Sequence, residues 1–320
     1  MQVRRIRIDA EQAGQRVDNF LLRELKGVPK SRIYRLLRKG EVRVNGGRSS
    51  PEYKLVAGDE VRVPPVRVGE ESEAMPPSQG LLAQLEAAIF YEDAGLLALN
   101  KPPGIAVHGG SGVRHGVIEG LRALRPTAPF LELVHRLDRD TSGLLLIAKR
   151  RSRLRQLHEQ LRSGEVEKHY IALLAGRLPR GPVPVEAPLD RFQLQGGERM
   201  VQVAADGKHA RTVFRATERF PGATLVDARI DTGRTHQIRV HALHLGHPVI
   251  GDDKYGDREV NKAFRELGVR RLFLHAHSLV LPQQDAEPLT LTAPLFKDLD
   301  DVLARLRAQE KEHGKQYQQF

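Results

Sequence analysis

Residues 131 to 150 read LELVHRLDRDTSGLLLIAKR, a charged knot set between two apolar runs. Within seven residues, His135, Arg136 and Arg139 supply three cations or potential cations, and Asp138 and Asp140 two carboxylates. A carboxylate flanked by Arg136 and Arg139 stays ionised, because nearby positive charge favours the charged form. That is the state required of a nucleophile, a base or an electrostatic stabiliser. The following Asp140-Thr141-Ser142-Gly143 reads as a turn whose side chains cap the strand LLLIAK. Two readings stand side by side at this point. Either Asp138 is a reactive carboxylate at the lip of a buried strand, or the knot is a surface arginine–aspartate lattice that holds a loop.

Three further stretches carry residues that could join it. DTGRTHQIRVHALHLGHPVIGDDKYG sets Arg234 and Arg239 among small and polar residues and ends in a glycine-rich loop. NKPPGIAVH ends a strand in a proline-constrained turn. EKHYIALL puts Tyr170 at the start of a strand, where its ring could stack on a base or simply pack at a strand edge. His236, His241, His244 and His247 also crowd together, but no cysteine completes a zinc set, so packing histidines are expected and a metal is not. Common nucleotide loops are missing: there is no G-x-x-x-x-G-K-[ST], and GSGVRH lacks the last glycine of G-x-G-x-x-G. Neither H-E-x-x-H nor G-x-S-x-G occurs. No cofactor is expected.

Positioning these groups falls to a chain of 320 residues, 40% hydrophobic and 28% charged, which is long enough for a sizeable core and more than one domain. Cysteine is absent, which excludes disulfides and thiolate nucleophiles. No apolar run approaches the ~18 residues of a membrane span, and the first residues lack the apolar core of a signal peptide. The expectation is a cytoplasmic protein with no membrane partner, a monomer in the absence of any dimerisation stripe.

Charge is unevenly spread. The formal net charge is +11, and residues 1 to 68 hold sixteen Lys/Arg against eight acids, a surplus of eight. Such a balance suggests a polyanionic partner, since neutralising phosphates releases counterions. In QRVDNFLLRELKG the apolar Val17, Phe20, Leu21 and Leu25 recur at helical spacing, with Gly27 as a stop. SRIYRLLRKG starts at a candidate cap, Ser31; Ile33, Leu36 and Leu37 form its buried stripe and Arg32, Arg35, Arg38 and Lys39 its other face. Those four cations, with no acid among them, favour nucleic-acid phosphates over a merely solvated face. EVRVNGGR alternates and reaches Asn-Gly, a hairpin signal, and GDEVRVPP is a second alternating strand.

Residues 64 to 80, PPVRVGEESEAMPPSQG, have a linker composition, and from about residue 85 apolar strands punctuated by turns take over. The last twenty residues start as an amphipathic helix and become a polar tail expected to fray.

Two resemblances connect these pieces. RVDNFLLRELKGVPKSRIYRLLRKGEVRVNGGR resembles the S4 RNA-binding domain. NKPPGIAVHGGSG, HRLDRDTSGLLLIAK, EKHYIAL and TGRTHQIRVHALHLGHPVIGDDKYG, in that order, resemble the pseudouridine synthases of the RluA type. The resemblance implies an α+β fold: a large mixed, mainly antiparallel sheet with a central cleft, preceded by a small S4 domain. It divides the chain into an S4 domain at 14–68, a linker at 69–84, a catalytic domain at 85–300 and a C-terminal helical and polar tail at 301–320. It implies that Asp138 is the catalytic aspartate, that Tyr170 lies against the uracil and that Arg239 salt-bridges the carboxylate. Arg136, with His135 and Leu137 beside it, would eject the target base and take its place in the stack. The implied reaction is isomerisation of uridine to pseudouridine in large-subunit ribosomal RNA. It breaks the N1–C1′ bond, turns the uracil and rejoins it through C5, so it needs neither metal nor cofactor. Attack at C1′, attack at C6 and removal of a proton from C2′ all ask the same of Asp138: it must be anionic, hydrogen-bonded and shielded from water. Two alternatives remain at this stage, a non-catalytic S4-type ribosome-assembly factor and an S4-linked methyltransferase; the missing glycine loop argues against the second.

Overall fold

The computed structural model describes residues 3–317 apart from 26–27, 29, 67–75, 111–112, 195–197 and 285. The chain divides into two units, Met1–Pro76 and Pro77–Phe320.

In the first unit the expected apolar stripes close on each other. Helix α1 (Val17–Glu24) turns inward Val17, Phe20 and Leu21, and α2 (Lys30–Lys39) turns inward Ile33, Leu36 and Leu37. The helix starts at Lys30, so Ser31 lies inside it and is not its cap. Strands β1 (Arg4–Arg7), β2 (Arg43–Val44) and β3 (Glu60–Val63) form a sheet of order β1-β3-β2. Asn45 and Gly46 both take positive φ (51° and 78°), as a tight two-residue turn demands, and Val44 and Gly47 close that turn by exchanging amide-to-carbonyl hydrogen bonds of 3.0 and 2.9 Å, while the ladder partner of β2 is β3. Asp18, buried beneath this face, accepts from both Arg16 and the Tyr34 hydroxyl; against the cost of burial, those bonds hold its carboxyl below the usual range.

Of the expected linker, residues 69–75 lie outside the described residues, and residues 79–84 are not a linker. They open α3 (Gln79–Ala88), because Leu81 and Leu85 pack into the core of the second unit and Ser78 caps the helix by accepting from the Leu81 amide.

The second unit is a ten-stranded sheet. Its N-terminal half runs β4 (Ile89–Glu92), β5 (Leu96–Lys101), β7 (Ser142–Ala148), with the short β6 (Glu132–Leu133) also pairing β7. Its C-terminal half runs β14 (Leu274–Gln283), β8 (Glu167–Ala175), β13 (Ala223–Ile230), β12 (Arg211–Phe220), β9 (Pro182–Glu186), with β15 (Ala286–Thr292) on β14. A separate hairpin, β10 (Leu189–Gln193) with β11 (Arg199–Val203), adds a two-stranded sheet. Among the described residues every strand pairing is antiparallel except β7 with β14, where the two halves join through His275 opposite Ser142 and Ala276 opposite Gly143.

Strand alternation sorts the core onto two faces. Leu97, Leu99, Leu145 and Ile147 meet α3 and α4 (Val117–Leu124), and Ala172, Leu174, Val226 and Ala228 meet α6 (Gln237–His244). On the opposite face, Leu96, Leu144 and Leu146 meet α5 (Arg151–Ser163), while Leu173 and Leu225 meet α7 (Arg258–Glu266) and α8 (Lys297–Tyr317). The C-terminal segment is therefore more than a tail. Leu299, Val302, Leu303 and Leu306 are buried, so the first turns of α8 belong to the core that residues 85–300 were expected to complete alone. Among the described residues no helix is long and apolar enough to cross a membrane.

Gly143 permits the junction. Its φ is +110°, and a Cβ there would sit 2.2 Å from the Ala276 carbonyl oxygen. Gly143→Ala should therefore cost at least ~2 kcal/mol, from backbone strain and the displaced strand together. Urea denaturation checks this: an unchanged midpoint would show that β7 and β14 can separate freely.

Candidate active site

Asp138 lies in the loop that enters β7, and buried polar fixtures hold that loop on both sides. Lys101, the last residue of β5, is fully buried, and its Nζ donates to the carbonyls of Pro102 (2.8 Å), Ile105 (2.9 Å) and Arg139 (3.0 Å). The Gly104 amide donates to the same Arg139 carbonyl at 2.9 Å. Burial pushes the Lys101 ammonium down to about 7, opposed by Asp140 and Asp138. Three carbonyls match the three donors of the charged form, which favours keeping the proton. Beyond Asp138, the Arg271 guanidinium donates to Ser142 Oγ (3.1 Å), whose hydroxyl donates to His275 Nδ1 (3.0 Å). His275 Nε2 faces the Ala293 carbonyl at 3.1 Å, which can only accept, so the ring proton sits on Nε2. Burial pushes His275 down to about 4, so it is neutral at pH 7.

Across the sheet junction stands the counter-charge. Arg239, in α6, is 6% exposed and Asp252 is 1% exposed. Arg239 Nε and Nη2 donate to the two oxygens of Asp252 at 2.7 and 2.8 Å, and Nη1 donates to Asp138 Oδ2 at 3.3 Å. Its guanidinium also lies 4.9 Å from the Tyr255 ring centroid. Burial alone would lower its pKa, but the hydrogen bond and charge of Asp252, then those of Asp138, outweigh this and raise it above the ordinary value. Asp252 also accepts from the amides of Lys254 and Tyr255. Despite burial, these partners, led by Arg239, hold its carboxyl below the usual range. A buried guanidinium with bidentate and single carboxylate partners has its charge compensated in place.

Tyr170 faces the same recess. On β8 it stands opposite Ala276 on one side and Ala228 on the other, so neither neighbouring strand crowds its ring. It touches both hydrophobic clusters of that face, the one under α3 and α4 and the one under α6. Burial, and then the Asp138 charge, push its phenol above the ordinary value, so it stays protonated.

Arg136, Leu137, Asp138, Tyr170 and Arg239 thus line one recess, with His236, Ile230 and Leu274. Arg136 is exposed and makes no ion pair among the described residues, while Leu137 is buried against α4. His135 departs from expectation. Its Nε2 accepts the Leu146 amide at 3.2 Å, outside the recess, and burial with nearby Lys168 pushes it down to about 4. It pins the loop to β7 rather than displacing a base. The partners of Asp138 differ too: Arg139 pairs with Asp140 at 3.2 Å, and the cation at Asp138 comes from 101 residues away. Neighbours in an extended loop point apart, so sequence adjacency does not make them a pair.

The clustered histidines are placed separately: His241 between Thr212 and the Ala187 carbonyl, His247 on the Ala175 carbonyl and His236 beside Asp138. Among the described residues no group of three His, Cys, Asp or Glu gathers as metal ligands. In the first unit Arg35, Arg38 and Lys39 are exposed and Arg32 is half-buried, and none of them is in an ion pair among the described residues. Arg38 shares a groove with Tyr34, Arg48 and Ser49. Asp252 and Lys101 escaped the sequence reading. The only signals were a carboxylate inside GDDKYG and a lysine closing the apolar LLALNK.

A family model described as RNA pseudouridylate synthase matches residues 95–244, and an S4 domain model matches residues 15–61. Ribosomal large subunit pseudouridine synthase C of Yersinia pestis is 56% identical over 307 residues, 95% of this chain and 96% of its own. The protein of the same description from Escherichia coli (strain K12) is 56% identical over 309 residues, 95% and 97% of the two chains. Among solved structures, Human RNA Pseudouridylate Synthase Domain Containing 4 superposes with a TM-score of 0.59 at 28% identity, over 71% of this chain and 96% of that one.

Two outcomes follow from the site's electrostatics. Asp252→Ala strands a buried guanidinium and should cost about 3–5 kcal/mol of stability by denaturant titration; a loss under 1 kcal/mol would show that Asp138 alone holds Arg239. His135 binds its proton less well folded than unfolded, so its contribution is complete above pH 6.5 and is lost as pH falls towards 4. His135→Gln, which keeps an acceptor for the Leu146 amide, should flatten that decline by ~2–3 kcal/mol. An equally steep acid decline in the variant would place the titrating group elsewhere.

Proposed function

The chain belongs to the RNA pseudouridylate synthase family and is an RNA pseudouridine synthase, and we propose that it isomerises uridines of large-subunit ribosomal RNA in the cytoplasm with Asp138 as its catalytic carboxylate. The observation that carries the site assignment is the Arg239 Nη1–Asp138 Oδ2 contact of 3.3 Å inside a recess floored by Tyr170. The contact sets a permanent cation beside the carboxylate that opens onto the recess.

The chemistry divides among the lining residues. A uridine must leave its stack to reach Asp138, at a cost of a few kcal/mol that is smallest in loops. Arg136, exposed at the recess and in no ion pair among the described residues, would occupy the vacated stack. Tyr170, held protonated, offers a flat face for the extruded uracil and no negative charge to repel it. Asp138 drives cleavage of the N1–C1′ bond. The uracil stays in the recess, turns, and forms the C5–C1′ bond; C5 then loses its proton and N1 gains one. Atoms and charge balance without an added reactant. The S4 unit, whose Arg35, Arg38, Lys39 and Arg48 are in no ion pair among the described residues, supplies phosphate contacts that raise the residence time of the RNA.

The test uses purified protein on unmodified large-subunit rRNA with EDTA and no cofactor, mapping pseudouridine by carbodiimide-dependent reverse-transcription stops. Asp138→Asn should lower turnover by at least about a thousandfold while changing RNA affinity less than about threefold. Wild-type turnover in that variant would overturn the assignment. Tight binding with no stops at all would instead favour the assembly-factor reading. Replacing Arg32, Arg35 and Arg38 together with Ala should weaken RNA binding and reduce the slope of log K against log salt by about 2. An unchanged slope would mean that this face is only solvated.

A further inference from the structure

His236 stands in a conformation that its residue type disfavours. Its φ and ψ are 53° and 19°, and the other non-glycine residue with positive φ among those described, Asn45, is of a type that tolerates this region in tight turns. Left-handed backbone costs a residue with a Cβ about 1 kcal/mol or more, so something must hold it there. Helix capping does not: His236 is the N-cap of α6, yet its side chain makes no capping hydrogen bond. What the conformation achieves is aim. Nδ1 lies 2.7 Å from the Tyr255 hydroxyl, and Nε2 lies 3.8 Å from Asp138 Oδ2 on the recess wall.

The carboxylate facing Nε2 can only accept, which selects the tautomer with the ring proton on Nε2. The Val201 amide donates to the Tyr255 oxygen at 2.9 Å, and the phenol proton goes to His236 Nδ1. The imidazole proton is then on Nε2, facing the carboxylate. Burial lowers the pKa of His236 against the raising effect of Asp138, which favours the neutral ring that this chain of donors requires. We propose that His236 is a positioning residue for the isomerisation, its Nε2–H forming with Arg239 Nη1 a pair of donors that fixes Asp138 Oδ2 and leaves Oδ1 to meet the uridine. A neutral donor orients the carboxylate without the second positive charge that would blunt its reactivity. The 3.8 Å separation closes to a hydrogen bond when the base fills the recess. This rests on the assignment of Asp138 as the reacting group.

The experiment compares His236→Gly, His236→Gln and Tyr255→Phe with Asp138→Asn in single-turnover assays on saturating rRNA, alongside RNA Kd and Tm. Glycine relieves the backbone and removes the donor, so its Tm should stay within a few degrees of wild type and its Kd within about twofold, while the rate falls about tenfold to a hundredfold. Glutamine restores an N–H at similar reach and should recover most of that loss. Tyr255→Phe should lower the rate severalfold, with no further loss when combined with His236→Gly. A wild-type rate in His236→Gly, or a fall matched by lost RNA affinity, overturns the proposal, as does a glutamine variant that folds but is no faster than glycine. If Asp138→Asn also turns over normally, the assignment of Asp138 fails; if it is inactive while His236→Gly is not, only the role of His236 does.

Discussion

One buried guanidinium governs the second unit. Arg239 is nearly inaccessible and touches two carboxylates, one locked beneath it and one at the floor of an open recess. A charge in that position is tolerable only when it is fully partnered. Asp252 supplies the permanent partner, itself saturated by two backbone amides, and the remaining Nη1 is left for Asp138. Asp138 thereby gains a cation it need not share with solvent, and Arg239 gains the second anion that its burial calls for. Neither residue could be placed without the other.

The architecture serves that meeting. Asp138 precedes β7 and Arg239 follows β13, strands from opposite halves of the sheet. Among the described residues one pairing in the sheet is parallel, β7 with β14, and it is also where the halves join. A parallel start brings the N-terminal ends of both strands side by side, so the loop before β7 opens toward the other half instead of folding back on its own. Gly143 lets the backbones approach, the Arg271–Ser142–His275 relay fastens them, and Lys101 fixes the carbonyl just past Asp138. Tyr170 lies between the two clusters of one face, where alanines on both flanking strands leave its ring uncrowded.

Polar burial at this site is nearly complete in its bookkeeping. Lysine, histidine, serine and arginine side chains that would be costly if unpaired each find acceptors or donors of the right kind, and the neutral histidines are those whose partners need a specific tautomer. Under the proposed assignment of Asp138, rigid supports of this sort serve a single carboxylate, because a departing base that is retained and reused calls for no second acid.

Much of this was legible beforehand. Helical spacing at Val17, Phe20, Ile33 and Leu36 marked the first unit's core, and four ordered motifs marked the family and singled out Asp138, Tyr170 and Arg239, which the fold brings to one recess. Apolar runs such as GLLLIA announced strands buried on both faces. What the sequence misled on was adjacency. It suggested Arg136 and Arg139 as the cations at Asp138 and grouped His135 with the base-handling residues, because side-chain direction in a loop is not written in residue order. It treated residues 79–84 as linker and the last helix as tail, because Leu81, Val302 and Leu306 have value only against surfaces that do not exist until the sheet forms. Which residues are chemically able to do the work was set by the sequence alone; which of them meet was decided by a strand pairing across 133 residues, since an ion pair needs proximity and only the tertiary fold supplies it.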